Sequence, residues 1–220
     1  MEANLRNNHL WRGIEVADGL VLTSDVNYTF LNGLVTFGFW GGTNTEGVYK
    51  EFNNHLSVQY KGFSFALWDT YNFSKNATYN NEEFFNYSAH STGRFLDAIV
   101  SYRFGEKFPL LVSWATVIFG RDRNEDNTSN KYSTFCYLEY PVYKQDKWRV
   151  DVGLGGAFAL KQCGSESNFY GDTSGIVHAT ISVGYDLAIG GYELPVNIST
   201  VWNPQADRAF FQIGVRLVSF

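Results

Sequence analysis

The chain has 220 residues, room for one substantial domain, with Phe, Tyr and Trp at 18 %, charged residues also at 18 % and a net charge of −5 at pH 7. So many aromatics with so little charge exclude a disordered chain, 2 cysteines exclude a disulfide scaffold, and an acidic balance leaves no basic footprint for nucleic acid. No apolar run of about 18 residues is present to cross a bilayer as a helix, and a mean hydropathy of −0.21 fits either a water-soluble protein or a membrane β-barrel whose polar lumen averages away an apolar exterior.

Period-2 alternation runs through the chain, and helical periodicity is nearly absent. It predicts twelve strands, over 9–16, 19–31, 33–42, 47–60, 62–73, 91–104, 109–119, 131–143, 147–160, 175–187, 191–202 and 208–220. In the fourth, Phe52, Asn54, Leu56, Val58 and Tyr60 alternate with Glu51, Asn53, His55, Ser57 and Gln59. In the sixth, Leu96, Ala98, Val100 and Tyr102 alternate with Asp97, Ile99, Ser101 and Arg103. In the tenth, Val177, Ala179, Ile181, Val183, Tyr185 and Leu187 share a face opposite His178, Thr180, Ser182, Gly184 and Asp186. In the last, Phe211, Ile213, Val215 and Leu217 share a face that Val218 and Phe220 leave, which predicts a bulge or a frayed end near 217.

Tight turns are expected at Asn32-Gly33, Lys61-Gly62, Gly105-Glu106-Lys107, Lys144-Gln145-Asp146 and Gly190-Gly191, and long polar loops at 74–90, 120–130 and 161–174. Short turns at one end, long loops at the other and an even strand count are the asymmetry of outer-membrane barrels, with both termini periplasmic. Aromatics gather at both strand ends: Tyr60, Phe63, Tyr102, Phe104, Trp148 and Tyr192 beside the short turns, and Tyr71, Tyr132, Phe158 and Trp202 beside the long loops. The expected architecture is therefore an all-β, transmembrane, antiparallel up-and-down barrel of about 12 strands, a single domain over 1–220. A soluble barrel or sandwich with a large core is the competing reading. Because Met1-Glu2-Ala3-Asn4 opens without an apolar leader, the chain reads as a mature sequence carrying an initiator Met. Cys136 is expected in mid-strand facing lipid and Cys163 in a loop, so no disulfide is predicted.

At the amino end, Trp11-Arg12-Gly13-Ile14, Asp18-Gly19 and Asp25-Val26-Asn27-Tyr28 stand in one stretch of about forty residues that closes with Gly38-Phe39-Trp40. This stretch resembles the opening of the TorF-like family of bacterial outer-membrane porins. It departs from that pattern in having no Pro after Asp18-Gly19 and no Gln-Gly in the second strand. The resemblance implies an outer-membrane barrel with a pore and supplies no catalytic residues.

If the apolar faces meet lipid, the lumen receives Asp25, Glu51, Asp97, Glu139, Asp151, Asp186 and Glu193 against Arg103, Arg149, Arg208 and Arg216. As a channel this acidic balance would favour cationic or neutral solutes; the alternative is that these charges are mutual ion pairs bracing the wall. The pore-lining set expected is Arg12, Asp25, Glu51, His55, Asp97, Arg103, Glu139, Arg149, Asp151, His178, Ser182 and Asp186. Twelve strands lie between filled eight-stranded barrels and open sixteen-stranded ones, so the pore should be narrow. Inward Gly38, Gly153, Gly155 and Gly184 thin the wall, and Trp40, Trp68, Phe95 and Phe135 thicken it. No catalytic group, metal-ligand spacing or cofactor motif is read. His178 and Ser182 stand four residues apart on a strand, too far for contact. The expected function is a narrow porin in a bacterial outer membrane, in contact with outer-membrane lipid, passing small polar solutes and binding no nucleic acid. The alternatives are a structural or accessory subunit docking another envelope protein and, more weakly, a lipid-processing barrel enzyme.

Two residues break the alternation. Asp69 shares a face with Phe63, Phe65, Leu67 and Tyr71, opposite Asn54. Either a bulge near Trp68 turns it inward, which is the expected resolution, or the patch meets a protein partner. Arg12 shares parity with Leu10, Ile14 and Val16; a bulge at Gly13 is expected to free it into the lumen to pair with Asp25 on the next strand.

Overall fold

A run of alternating segments satisfies all its backbone N–H and C=O groups only if the sheet closes on itself. In the computed structural model, which describes residues 1–161 and 166–219, it does so. The described residues form β1 Glu2–Arg6, β2 His9–Trp11, β3 Ile14–Ala17, β4 Val21–Phe30, β5 Val35–Asn44, β6 Lys50–Tyr60 and β7 Phe63–Asn72. They continue with β8 Phe95–Arg103, β9 Leu111–Gly120, β10 Ser133–Gln145, β11 Trp148–Ala159, β12 Gly175–Ile189, β13 Tyr192–Asn203 and β14 Arg208–Ser219. Twelve of these close an antiparallel barrel in the order β1-β14-β13-β12-β11-β10-β9-β8-β7-β6-β5-β4, and β2 and β3 pair only with each other. Cys163 and Phe220 lie outside the described residues.

The strand count holds but the first strand is corrected. The wall strand is β1, paired with β14 on one side and β4 on the other. Residues 9–17 alternate because they make a hairpin of their own. Side-chain period reports that a segment is extended and two-faced, and both a wall strand and an internal hairpin meet that description.

One end of the barrel carries the tight turns. Lys61 and Gly62 take φ of 45° and 86°, and Gly190 and Gly191 take 57° and 85°, the left-handed pair that two-residue hairpins need. The β10–β11 turn is Asp146-Lys147, one residue later than expected, because Lys144 and Gln145 remain paired in the ladder. The other end carries the connections 73–94 and 121–132, the described residues 160–161 and 166–174, and also 7–20, which holds the β2–β3 hairpin. At the seam the β14 register slips at Leu217, so that Ala3 faces Val218 while Asn4 faces Arg216. This is the bulge that the parity change there demands.

A second bulge changes a side chain's address. His178 pairs with Gly155 and Ile176 with Gly156, which leaves Val177 as the extra residue. Val177 is therefore not on the outer face with Ala179 and Ile181. It is wholly buried inside, in a cluster with Phe135, Ala157 and Tyr170 that also packs Trp11 and Ile14 of the hairpin. A second inner cluster joins Ala17, Val21 and Tyr49. The apolar core thus lies inside the long-loop end, between hairpin and wall.

The outer face is apolar and exposed all round the wall: Leu22 and Val26 on β4, Leu56 and Val58 on β6, Phe65 on β7, Trp114 on β9, Leu154 on β11, Ile181 on β12, Ile198 on β13 and Ile213 on β14. Tyr192, 77 % exposed, and Tyr28, 72 %, mark the short-turn rim with Tyr60 and Phe63. Among the described strand residues, Asp69 is the one carboxylate on this face.

Asp69 is not turned inward. The ladders of β7 with β6 and β8 run without a slip, and Asn54 faces Asp69 as its register requires. No second protein is needed either, because the connection 73–94 folds back over the outer wall. Arg94 Nη1 donates to Asp69 Oδ1 at 2.7 Å, and Asp69 Oδ2 accepts from Tyr87 OH at 2.7 Å and from Asn54 Nδ2 at 3.3 Å. The Arg94 guanidinium, with 0 % exposure, lies 4.2 Å from the Phe84 ring and within 4.9 Å of Tyr71 and Tyr87. A charge on an apolar wall is tolerated when its counter-charge comes with an aromatic cover.

Candidate functional site in the lumen

The hairpin is positioned by its turn. Arg12 and Gly13 take φ of 50° and 84°, so Trp11-Arg12-Gly13-Ile14 is a two-residue hairpin turn, not a bulge in a wall strand. A Cβ on Gly13 would sit 1.8 Å from the Val177 carbonyl oxygen, and Asn203 Nδ2 donates to Gly13 O at 3.0 Å. Only glycine lets the tip seat against β12 and β13. Trp11 then packs on Tyr170 at 5.2 Å and on Phe95 at 5.6 Å.

From that tip Arg12 reaches across to β8. Its Nη2 donates to Asp97 Oδ2 and its Nη1 to Tyr170 OH, each at 2.5 Å, with 11 % of the Arg12 side chain and 4 % of the Asp97 side chain exposed. Its guanidinium also lies 4.8 Å from the Trp11 ring. The expected partner Asp25 is corrected to Asp97. Asp25 stands level with Glu2, at the end of β1 farthest from the hairpin, and takes His55 Nε2 at 2.9 Å instead.

The other expected residues are placed as follows. His55 stacks on Trp68 at 4.4 Å, in room left by Gly38, whose Cβ would come 2.5 Å from His55 Nε2. Glu51 accepts from Asn53 Nδ2 at 2.8 Å and Asn72 Nδ2 at 3.1 Å. Arg103 pairs with Glu139 at 2.9 Å and Arg149 with Asp151 at 2.6 Å. Gly153 and Gly155 make room for Tyr137 and Phe135. His178 rests against the Phe135 and Tyr137 rings, Ser182 Oγ accepts from Asn197 Nδ2, and Asp186 lines a cavity at the short-turn end. The inward acids are thus largely consumed by inward bases or amides, the wall-bracing alternative. The structure brings Arg12 to Asp97, Asp25 to His55, Arg103 to Glu139 and Arg149 to Asp151; it does not bring His178 to Ser182.

The space inside the barrel falls into two parts, and the hairpin lines the larger of them. Towards the long loops lies a cavity of about 900 Å³ lined by Arg6, His9, Trp11, Trp40, Glu51, Trp68, Asp97 and Arg121 among others. Towards the short turns lies one of about 530 Å³ lined by Glu2, Arg6, Arg149, Asp186, Asn197 and Arg216 among others. Sequence reasoning missed Tyr170, Arg121 and Arg6, because two sit in or beside loops, where alternation is silent, and Arg6 precedes the first strand expected. Arg121 lies 3.7 Å from the Tyr79 ring, and among the described residues no carboxylate comes within 4.0 Å of it. Burial pulls its pKa below the ordinary arginine value, against the opposing influence of Tyr79 and Glu51.

No protein-family model and no curated protein sequence matches the chain. Among solved structures it is similar to a crystal structure of the COG4313 outer membrane channel from Pseudomonas putida F1. The identity is 11 %, the TM-score is 0.46, and the match covers 98 % of this chain and 92 % of that one.

Proposed function

We propose that the chain is a bacterial outer-membrane barrel whose lumen, narrowed by the inward hairpin, passes small polar solutes. The observation that carries this reading is inversion. The apolar side chains cover the outside of the closed wall, and the ion pairs of Asp97, Glu139 and Asp151 with the Asp25–His55 contact lie inside. A soluble barrel distributes these groups the other way, because an apolar belt in water costs about 25 cal/mol per Å² while lumenal charges lose hydration. In lipid the same wall is stable, since every barrel strand has a partner on both sides.

Short turns then face the periplasm and the long connections face outward, with Tyr28, Tyr60, Phe63 and Tyr192 at the inner interface. The lumen offers polar surface, no metal-binding cluster among the described residues, and two cavities of about 900 and 530 Å³. Passive diffusion is the chemistry such a space performs. Protein refolded in detergent and inserted into liposomes is expected to make them swell in small polar solutes and not in large ones. Its gel migration should shift on heating. Folded protein that stays monodisperse in water without detergent would contradict the membrane reading, and tight liposomes would contradict the transport reading.

A further inference from the structure

The two cavities have one lining residue in common among the described residues, Arg6. It stands at the end of β1, in register with Val21 and Gly214, where the chain leaves the wall to enter the hairpin. Its stem lies over Gly214, where an added Cβ would come 3.2 Å from Arg6 Cγ. The glycine thus lets the side chain extend into the lumen. Among the described residues no carboxylate comes within 4.0 Å of the Arg6 guanidinium, whereas Arg12, Arg103 and Arg149 each have an acid partner within 2.9 Å.

Counting lumenal charges gives an acidic excess, but pairing changes the sum. Asp25, Asp97, Glu139 and Asp151 are held by His55, Arg12, Arg103 and Arg149. Glu51 accepts from two side-chain amides, which hold it without cancelling its charge, and Arg121 lines the same cavity with no carboxylate of the described residues within 4.0 Å. In the larger cavity, the remaining acids Asp18 and Glu46 are exposed at the loop rim, where water screens them. In the smaller one, Arg216 lies 3.7 Å from Glu2, leaving Lys144 and Lys147 beside Asp146 and Asp186. At the junction itself the unpaired charge is Arg6. A fixed charge where the two spaces meet acts on every ion that goes from one to the other.

We propose that Arg6 sets the charge selectivity of the passage and makes it prefer small anions. The inference rests on the lumen conducting, and it reverses the cation preference that charge counting alone implies. The test is the reversal potential of single channels in planar bilayers of neutral lipid under a potassium chloride gradient, kept near about 0.1 M so that the screening length stays about 10 Å. Wild type is expected to reverse on the chloride side, Arg6→Lys to keep that sign, Arg6→Gln to move towards zero and Arg6→Glu to invert. If Arg6→Glu does not reach the heat-modifiable form, the shift in Arg6→Gln decides. A cation-preferring wild type, or a reversal potential unmoved in Arg6→Gln, overturns the proposal and leaves the channel reading standing. No conductance steps at all from the wild type overturns the channel reading, and this proposal with it.

Discussion

Arg12→Ala is expected to lower the stability of the folded barrel by about 3–5 kcal/mol, the cost of stranding one member of a poorly hydrated pair. The Asp97 side chain is 4 % exposed, and Arg12 Nη2 is its hydrogen-bond donor at 2.5 Å. Truncation leaves a buried carboxylate without its donor. It also removes the donor to Tyr170 OH and the cation stacked 4.8 Å from Trp11. Asp97→Asn alone strands the guanidinium in the same way. The double variant Arg12→Ala with Asp97→Asn should recover part of the loss, read as the urea midpoint of detergent-folded protein. Losses that simply add would show that the two groups are not coupled. Arg12→Lys is expected to rescue little, because a single ammonium cannot serve Asp97 and Tyr170 in the guanidinium's forked geometry.

Arg94→Ala should be of similar size, about 3 kcal/mol or more, and should act on the opposite face of the wall. Arg94 has no exposure at all, and it fastens the connection 73–94 by an ion pair to Asp69, a hydrogen bond to Phe84 O at 2.7 Å and three aromatic rings. Without it Asp69 keeps only Tyr87 and Asn54 on an apolar wall, where a carboxylate without a counter-charge is costly. The connection should lift, so that limited proteolysis cuts within 73–94 in the variant and not in the wild type. A resistant Arg94→Ala protein with unchanged stability would show that Phe84 packing and the Tyr87–Asp69 hydrogen bond hold the segment without Arg94.

Alternation made most of the wall legible. The register that sets Asn54 opposite Asp69 follows from the Lys61-Gly62 turn alone, and the seam bulge at Leu217 follows from a parity change. What escaped shares one physical cause. Period 2 reports that a segment is extended but not which sheet it joins. Residues 9–17 therefore read as a wall strand, while Glu2–Arg6, five residues long, fell outside the pattern. That single displacement sent Arg12 to Asp25 rather than Asp97 and left Arg6 out of the lumen. Asp69 was misjudged for a related reason. Its neutralising partners come from a loop, and no strand periodicity signals that a loop folds back over the wall. Val177 is the same lesson at one residue, a bulge with no glycine or proline of its own to announce it.

The hairpin reaches across the lumen from β12 and β13 to Asp97 on β8, and its removal should open the passage. A variant in which residues 8–19 are replaced by a short turn joining Asn7 to Leu20 keeps β1, β4 and the whole barrel ladder. It loses Trp11, Arg12 and the contacts of Gly13 with β12 and β13. Single-channel conductance of this variant should rise several-fold or more above wild type, towards that of a barrel of about twelve strands with an unobstructed lumen. Its gel migration should remain heat-modifiable. A variant that folds into the same barrel and conducts no better than wild type would contradict a lumen narrowed by this hairpin.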